Sequence, residues 1–246
     1  MKTNHRAGLL RIFACSTAVA GCDLAYPLGD YQALDPDGAT KTDAAAAGLI
    51  QTATGQASDT REIVVALAKS ATIGNALVLV AVSNETLPLS VSSAGVTWTA
   101  MSFSSKQVAV AIWAGFVPLG GSASVTVRWA ASPALAQGTA LAHLSEWRGL
   151  SALGPEVHAS GTGGGPITTG SLLAKEGTVL LLAAAGGHTA GIGPPTNGFT
   201  ALPSIALDDY RLDLAYVHAP PAGSYATSWT YPSTKGWEAL LVSFTR

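Results

Sequence analysis

Leu77-Val78-Leu79-Val80-Ala81 and, about 102 residues further on, Val179-Leu180-Leu181-Leu182-Ala183 are apolar runs of the same length and make-up. Both are too short for a buried helix of ordinary length and are bounded by Gly and Ser, so both read as β-strands. Working outward at this spacing, Trp98-Thr99-Ala100 falls on Phe199-Thr200-Ala201 after a one-residue slip. Val108, Val110 and Ile112 fall on Tyr210, Leu212 and Leu214, Gly121-Ser122 on Gly223-Ser224, and Trp129 on Tyr231. Thr139–Trp147 and Trp237–Phe244 close the two halves with an approximate match. Each half thus supplies four strands in the same order, and two such units make up an eight-stranded double Greek key. The expected fold is all-β, a jelly-roll or Greek-key β-sandwich built by internal duplication of a four-strand unit, in one domain over residues 48–246.

Alternation sorts the side chains by face. Val125, Val127 and Trp129 share one face, as do Tyr225, Thr227, Trp229 and Tyr231, and these aromatics are expected in the core. Trp113 lies opposite Val108, Val110 and Ile112. It is either an exposed aromatic, and then the best single contact for a ligand, or it is covered by another segment of the chain.

Composition narrows the classes. Of 246 residues, 11% are charged and 48% hydrophobic, against roughly 25% charged in an ordinary soluble domain. So little charge excludes a charge-driven disordered chain, a coiled coil and a nucleic-acid binder. No apolar run reaches the roughly 18 residues that a spanning helix needs; Val179–Ala185 stops at Gly186-Gly187.

The first residues, MKTNHRAGLLRIFACSTAVAGC, place Lys2, Arg6 and Arg11 ahead of an uncharged stretch, the layout of a secretory signal. The stretch ends in Val19-Ala20-Gly21-Cys22, which resembles the lipobox of bacterial lipoproteins. That resemblance implies cleavage after Gly21 and a lipid on Cys22, giving a signal over 1–21 and a membrane-anchored, exported protein facing the periplasm or the cell surface. An ordinary signal peptide is the alternative. Residues 22–47, rich in Asp, Ala, Gly and Thr, read as the lipidated cysteine and a flexible tether. Losing Cys15 with the signal and Cys22 to lipid leaves the domain without a thiol, hence without a disulfide. The remaining chain has 10 Lys and Arg against 15 Asp and Glu, a net charge of −5, so the membrane is met through the lipid alone and nucleic acid is not a partner.

Chemistry is sparse. There is no Gly-x-Ser-x-Gly elbow and no His-Glu-x-x-His helix, and His143, His158, His188 and His218 are too dispersed to specify a metal site. These histidines read as surface or core-edge residues. Asp208, Asp209 and Asp213 surround Arg211 and form either a solvated ion-pair ladder or a calcium site. Glu146 shares a strand face with Ala142 and Leu144; it sits at a rim paired with Arg148, or partly buried with a shifted pKa. Glycosidase chemistry needs two carboxylates at a defined separation, and no convincing second one accompanies it.

Gly74-Asn75-Ala76-Leu77-Val78-Leu79, Gly95-Val96-Thr97-Trp98-Thr99, Ser145-Glu146-Trp147-Arg148-Gly149 and Trp237-Glu238-Ala239-Leu240-Leu241-Val242-Ser243-Phe244 look like β-sandwich modules of secreted and surface proteins of bacteria and their phages. The resemblance implies a fold and no catalytic residue. The expected function is a non-catalytic binding or adhesion module for a glycan or an envelope protein, without cofactor or metal. Recognition is expected on the segments Asn84–Ala94, Ser102–Gln107 and His188–Gly198, with Trp113, Glu146 and His188 as ligand-binding candidates. A carbohydrate-active hydrolase or lyase using Glu146 or the Asp208–Asp213 cluster is the alternative, and a purely structural envelope component a further one.

Overall fold

The computed structural model describes residues 47–58, 60–83, 87–104, 108–129, 139–188 and 192–246, without the side chains of residues 102–104 and 188. The expected signal, Cys22 and the expected tether up to residue 46 lie outside the described residues, as do residues 84–86, 105–107 and 189–191 of the expected recognition segments.

Every regular element among the described residues is a β-strand. The first half contributes β1 (Gly48–Ser58), β2 (Glu62–Ala66), β3 (Ala76–Ser83), β4 (Pro88–Ser92), β5 (Thr97–Ser104), β6 (Ala109–Phe116), β7 (Ser124–Trp129) and β8 (Thr139–Arg148). The second half contributes β9 (Ala152–Thr162), β10 (Ile167–Thr168), β11 (Leu172–Ala174), β12 (Thr178–His188), β13 (Thr200–Ala201), β14 (Ile205–Leu207), β15 (Tyr210–His218), β16 (Gly223–Tyr225), β17 (Ser228–Trp229) and β18 (Gly236–Thr245).

The duplication is written in the sheet order. One sheet runs β1-β8-β3-β6-β5; the other runs β9-β18-β12-β15-β13, with β14 also on β15. The first and last strands of each half take the same places, as do β3 and β12 and β6 and β15, and all neighbours are antiparallel. Each half adds a smaller cover. In the first half it is the three-stranded sheet β2-β7-β4, and in the second it is the short pairs β10-β17 and β11-β16. The repeating unit is therefore larger than four strands, and the halves do not interleave into two shared sheets as a single double Greek key would.

The molecule is a β-sandwich of four layers with three apolar cores. The two large sheets meet face to face through Val78, Val80, Val82, Leu180, Leu182 and Leu240, among others. Leu77, Leu79 and Leu144 face the first cover with Val65, Val125 and Val127. Leu181, Ala183 and Leu241 face the second cover with Trp229 and Tyr231. Both central sheets are thus buried on both sides, which is why β3 and β12 read as continuous apolar runs rather than as alternating strands. It also accounts for the small residues. At Gly186 the two central sheets approach closely enough that a Cβ would lie 2.9 Å from Val82 Cγ2 and 3.1 Å from Val110 Cγ2.

The expected core aromatics Trp129, Trp229 and Tyr231 are buried and Tyr225 is half-buried. Four strands, β1, β4, β9 and β14, are absent from the apolar runs of the sequence. Each is an outer strand, only partly buried; β9 carries Gly154, Pro155 and Gly161, and β4 begins on Pro88. An outer strand borrows its order from one neighbour's ladder and needs little apolar content of its own.

Candidate functional site

Glu146 lies near the end of β8, between Gln51 of β1 and Leu77 of β3 in the ladder. The neighbouring residues Ser145 and Trp147 turn to the central core, where the Trp147 indole N–H donates to Ser145 Oγ at 2.8 Å and the ring meets Tyr216 edge-on at 5.2 Å. Glu146 faces the other way, under the loop that joins β2 to β3, and is fully buried. That loop closes on a tight turn in which Asn75 N–H donates to the Thr72 carbonyl at 3.1 Å, with Gly74 at a φ of 82°. A positive φ at the third turn position is where glycine is favoured.

The turn delivers two donors to the carboxylate. Thr72 N–H reaches Oε1 at 2.8 Å and Asn75 Nδ2 reaches it at 2.6 Å, while Gln51 Nε2 donates to Oε2 at 2.6 Å. Burial is the largest influence on this carboxyl and acts to raise its pKa; the donors from Gln51, Thr72 and Asn75 together outweigh it and hold the group below the usual range. Glu146 is therefore an anion bound by neutral donors. Arg148, its expected partner, is exposed on the next turn of the pleat and makes no ion pair with it.

Above Glu146 a surface cavity of about 240 Å³ is lined by Ile50, Gln51, Ala68, Lys69, Ser70 and Thr72. Gln51 fixes its wall: the side-chain amide donates to the Lys69 carbonyl at 3.0 Å and accepts from Lys69 N–H at 3.2 Å. The loop is further tied to the loop after β6, since Gly74 N–H donates to the Val117 carbonyl and Gly121 N–H to that of Ala71. This end of the first half also exposes three large aliphatic side chains, Ile50, Ile73 and Leu119 at 47%, 62% and 74%. The cavity lining holds one carboxylate, engaged by three donors, and glycoside chemistry needs two.

The other sequence candidates lie elsewhere. Trp113 on β6 is half-buried and packs on the core beneath the first cover, as does Trp98. His188 ends β12 opposite Tyr210, and its side chain lies outside the described ones. Of the expected recognition segments, Asn84–Ala94 contains the cover strand β4, and Thr196 in His188–Gly198 bonds to Ser228 of β17 through both backbone and hydroxyl.

Two readings need correction. His143 is no surface or core-edge residue: it is fully buried on the central-core face of β8. Desolvation lowers its pKa to about 4 against the contrary effect of its own backbone, so the ring is neutral. Nor is the aspartate group a solvated ladder. Arg211 donates to both oxygens of the buried Asp213, at 2.6 and 3.1 Å, and burial still pushes that carboxyl up. Asp209 pairs with Lys235 at 2.8 Å, and Asp208 accepts from Thr139 at 2.8 Å.

Among the described residues no three His, Cys, Asp or Glu side chains are grouped to hold a metal ion, and no helix is long and apolar enough to cross a membrane. No protein-family model, curated protein or solved structure matches the chain.

Proposed function

We propose that this chain is an exported protein, anchored by a lipid on Cys22, whose β-sandwich is a non-catalytic binding module for a protein partner in the bacterial envelope. The observation that carries the reading is the end of the first half. There two loops, bonded to each other and held from below by Glu146, present Ile73 and Leu119 to water beside Ile50 of β1 and a fixed cavity. A rigid scaffold that presents exposed aliphatic side chains on ordered loops is suited to recognising another protein surface.

A glycan is the less favoured ligand. Sugar sites rely on exposed aromatic faces, and all six tryptophans are buried or half-buried. The hydrolase reading loses support for the same reason that Glu146 is stable: its oxygens are engaged by Gln51, Thr72 and Asn75.

The test is capture from an envelope fraction by the full chain, compared with an Ile73→Asp/Leu119→Asp variant, alongside a glycan array. A protein retained by the wild type and lost by the variant supports the reading. Glycan binding, or capture that the two substitutions leave unchanged, overturns it. The anchor is tested separately by Cys22→Ala, which is expected to move the protein from the membrane to the soluble fraction; unchanged partitioning rules the lipid out.

A further inference from the structure

Natural sheets blunt their edges with charge, proline, bulges or a covering element. The edges of the two large sheets differ in this respect. β9 carries Pro155, Glu156 and His158 along its length. β1 has a register shift between Leu49 and Gln51, and Ile63 of β2 packs against it at Gly55. On the far side of β15 the edge is split into β13 and β14 by Leu202-Pro203-Ser204, and it ends at Asp208 with a φ of 53°.

β5 takes the corresponding place in the first half and has none of these devices. Its eight residues, TWTAMSFS, contain no proline, glycine or charge. They pair with β6 without a register shift, from Thr97 opposite Phe116 to Ser104 opposite Ala109. Thr97, Thr99 and Ala100 are exposed, while Trp98 and Met101 anchor the strand to the cores on its two faces. Among the described residues no strand lies beyond it.

We infer that β5 is a strand-addition edge at which two copies of this chain pair antiparallel about a two-fold axis, joining their five-stranded sheets into one. Two identical antiparallel strands are self-complementary, each supplying the N–H and C=O groups that the other lacks. An uncharged strand sets no like charges against each other in any register. Strand addition of a foreign peptide draws its specificity from pockets for alternate side chains, and the cavity above Glu146 is lined by no residue of β5, so the second copy is the occupant assigned.

Sedimentation and hydrogen exchange of the full chain, carrying Cys22→Ala to keep it free of lipid, test this over a range of protein concentrations. The expected result is a doubling of mass with rising concentration and, in step with it, slower exchange of amides within Thr97–Ser104. Thr99→Lys/Ala100→Lys, which puts a charge on each face of the edge, should raise the dimer dissociation constant at least tenfold; Leu173→Lys, at another exposed site, should not. A monomer at every concentration, a dimer indifferent to the two lysines, or concentration-independent protection of the β5 amides that do not bond β6 overturns the proposal. The last outcome would mean that the same chain covers the edge. The wild-type exchange measurement decides the matter even if the lysine variant folds poorly.

Discussion

Gln51 Nε2 lies 2.6 Å from Glu146 Oε2, and the two residues are direct partners across the β1–β8 ladder. Gln51 also pairs with both backbone groups of Lys69, so one amide joins an outer strand, a loop and a buried anion. Glu146→Gln keeps the shape but swaps an acceptor for a donor. Whichever way the new amide turns, its nitrogen faces a group that itself donates, either Gln51 or the Thr72–Asn75 pair. The expected loss is about 2–4 kcal/mol in urea unfolding, from weakened charge-assisted bonds and a stranded donor. With Gln51→Ala in a double-mutant cycle, a coupling of about 1 kcal/mol or more is expected; additivity would show that the two side chains act separately.

Acid should weaken the fold through His143 before it reaches the carboxylates. The ring is neutral and buried in the native state, with a pKa lowered from 6.5 to about 4. Between those values the unfolded chain binds more protons than the native one, so stability falls as pH falls across the window. At about 1.4 kcal/mol per pKa unit the loss approaches ~3 kcal/mol by pH 4. Glu146, held below its ordinary pKa, adds a loss of the same sign at lower pH, as it protonates. β18, which takes the place of β8 in the second half, turns Leu240 and Val242 to the same core. His143→Leu is therefore expected to flatten the dependence between pH 6.5 and 4. Urea midpoints at pH 7 and pH 5 check this, and an unchanged difference between them would assign the acid sensitivity to other groups.

The central strands were legible because burial on both faces makes β3 and β12 almost wholly apolar and leaves apolar stretches in β8 and β18. The repeat was legible for the same reason, since β3 and β12 carry its longest match. What the residues could not convey is which sheet a strand joins. Leu77 and Val78 look alike in a run, yet one faces the cover and the other the second large sheet. Glu146 was visible as an oddity in an apolar strand. Its partners were not, because Gln51, Thr72 and Asn75 lie 71 to 95 residues away in the chain and meet it only through a ladder and a turn. Gly74-Asn75 just before a strand was the available signal: a turn residue followed by a side chain able to donate.

The meeting of the two large sheets makes Gly186 a test of the four-layer arrangement. An alanine there would place its Cβ 2.9 and 3.1 Å from methyl groups of Val82 and Val110, on strands of the other half. Both valines are fully buried in strands that are paired on either side, so neither can withdraw cheaply. Gly186→Ala is expected to destabilise by about 1–3 kcal/mol, the usual cost of overpacking. Gly164→Ala, with open space where its Cβ would go, should stay within about 0.5 kcal/mol. Adding Val82→Ala to Gly186→Ala removes two of the three close methyls, those of Val82, and should cost less than the two substitutions summed. Strict additivity would mean that the halves are not in contact at this point. A positive coupling ties the small-residue run Ala183–Gly187 to its role: it lets one buried sheet lie flat on another, a constraint that neither half would impose alone.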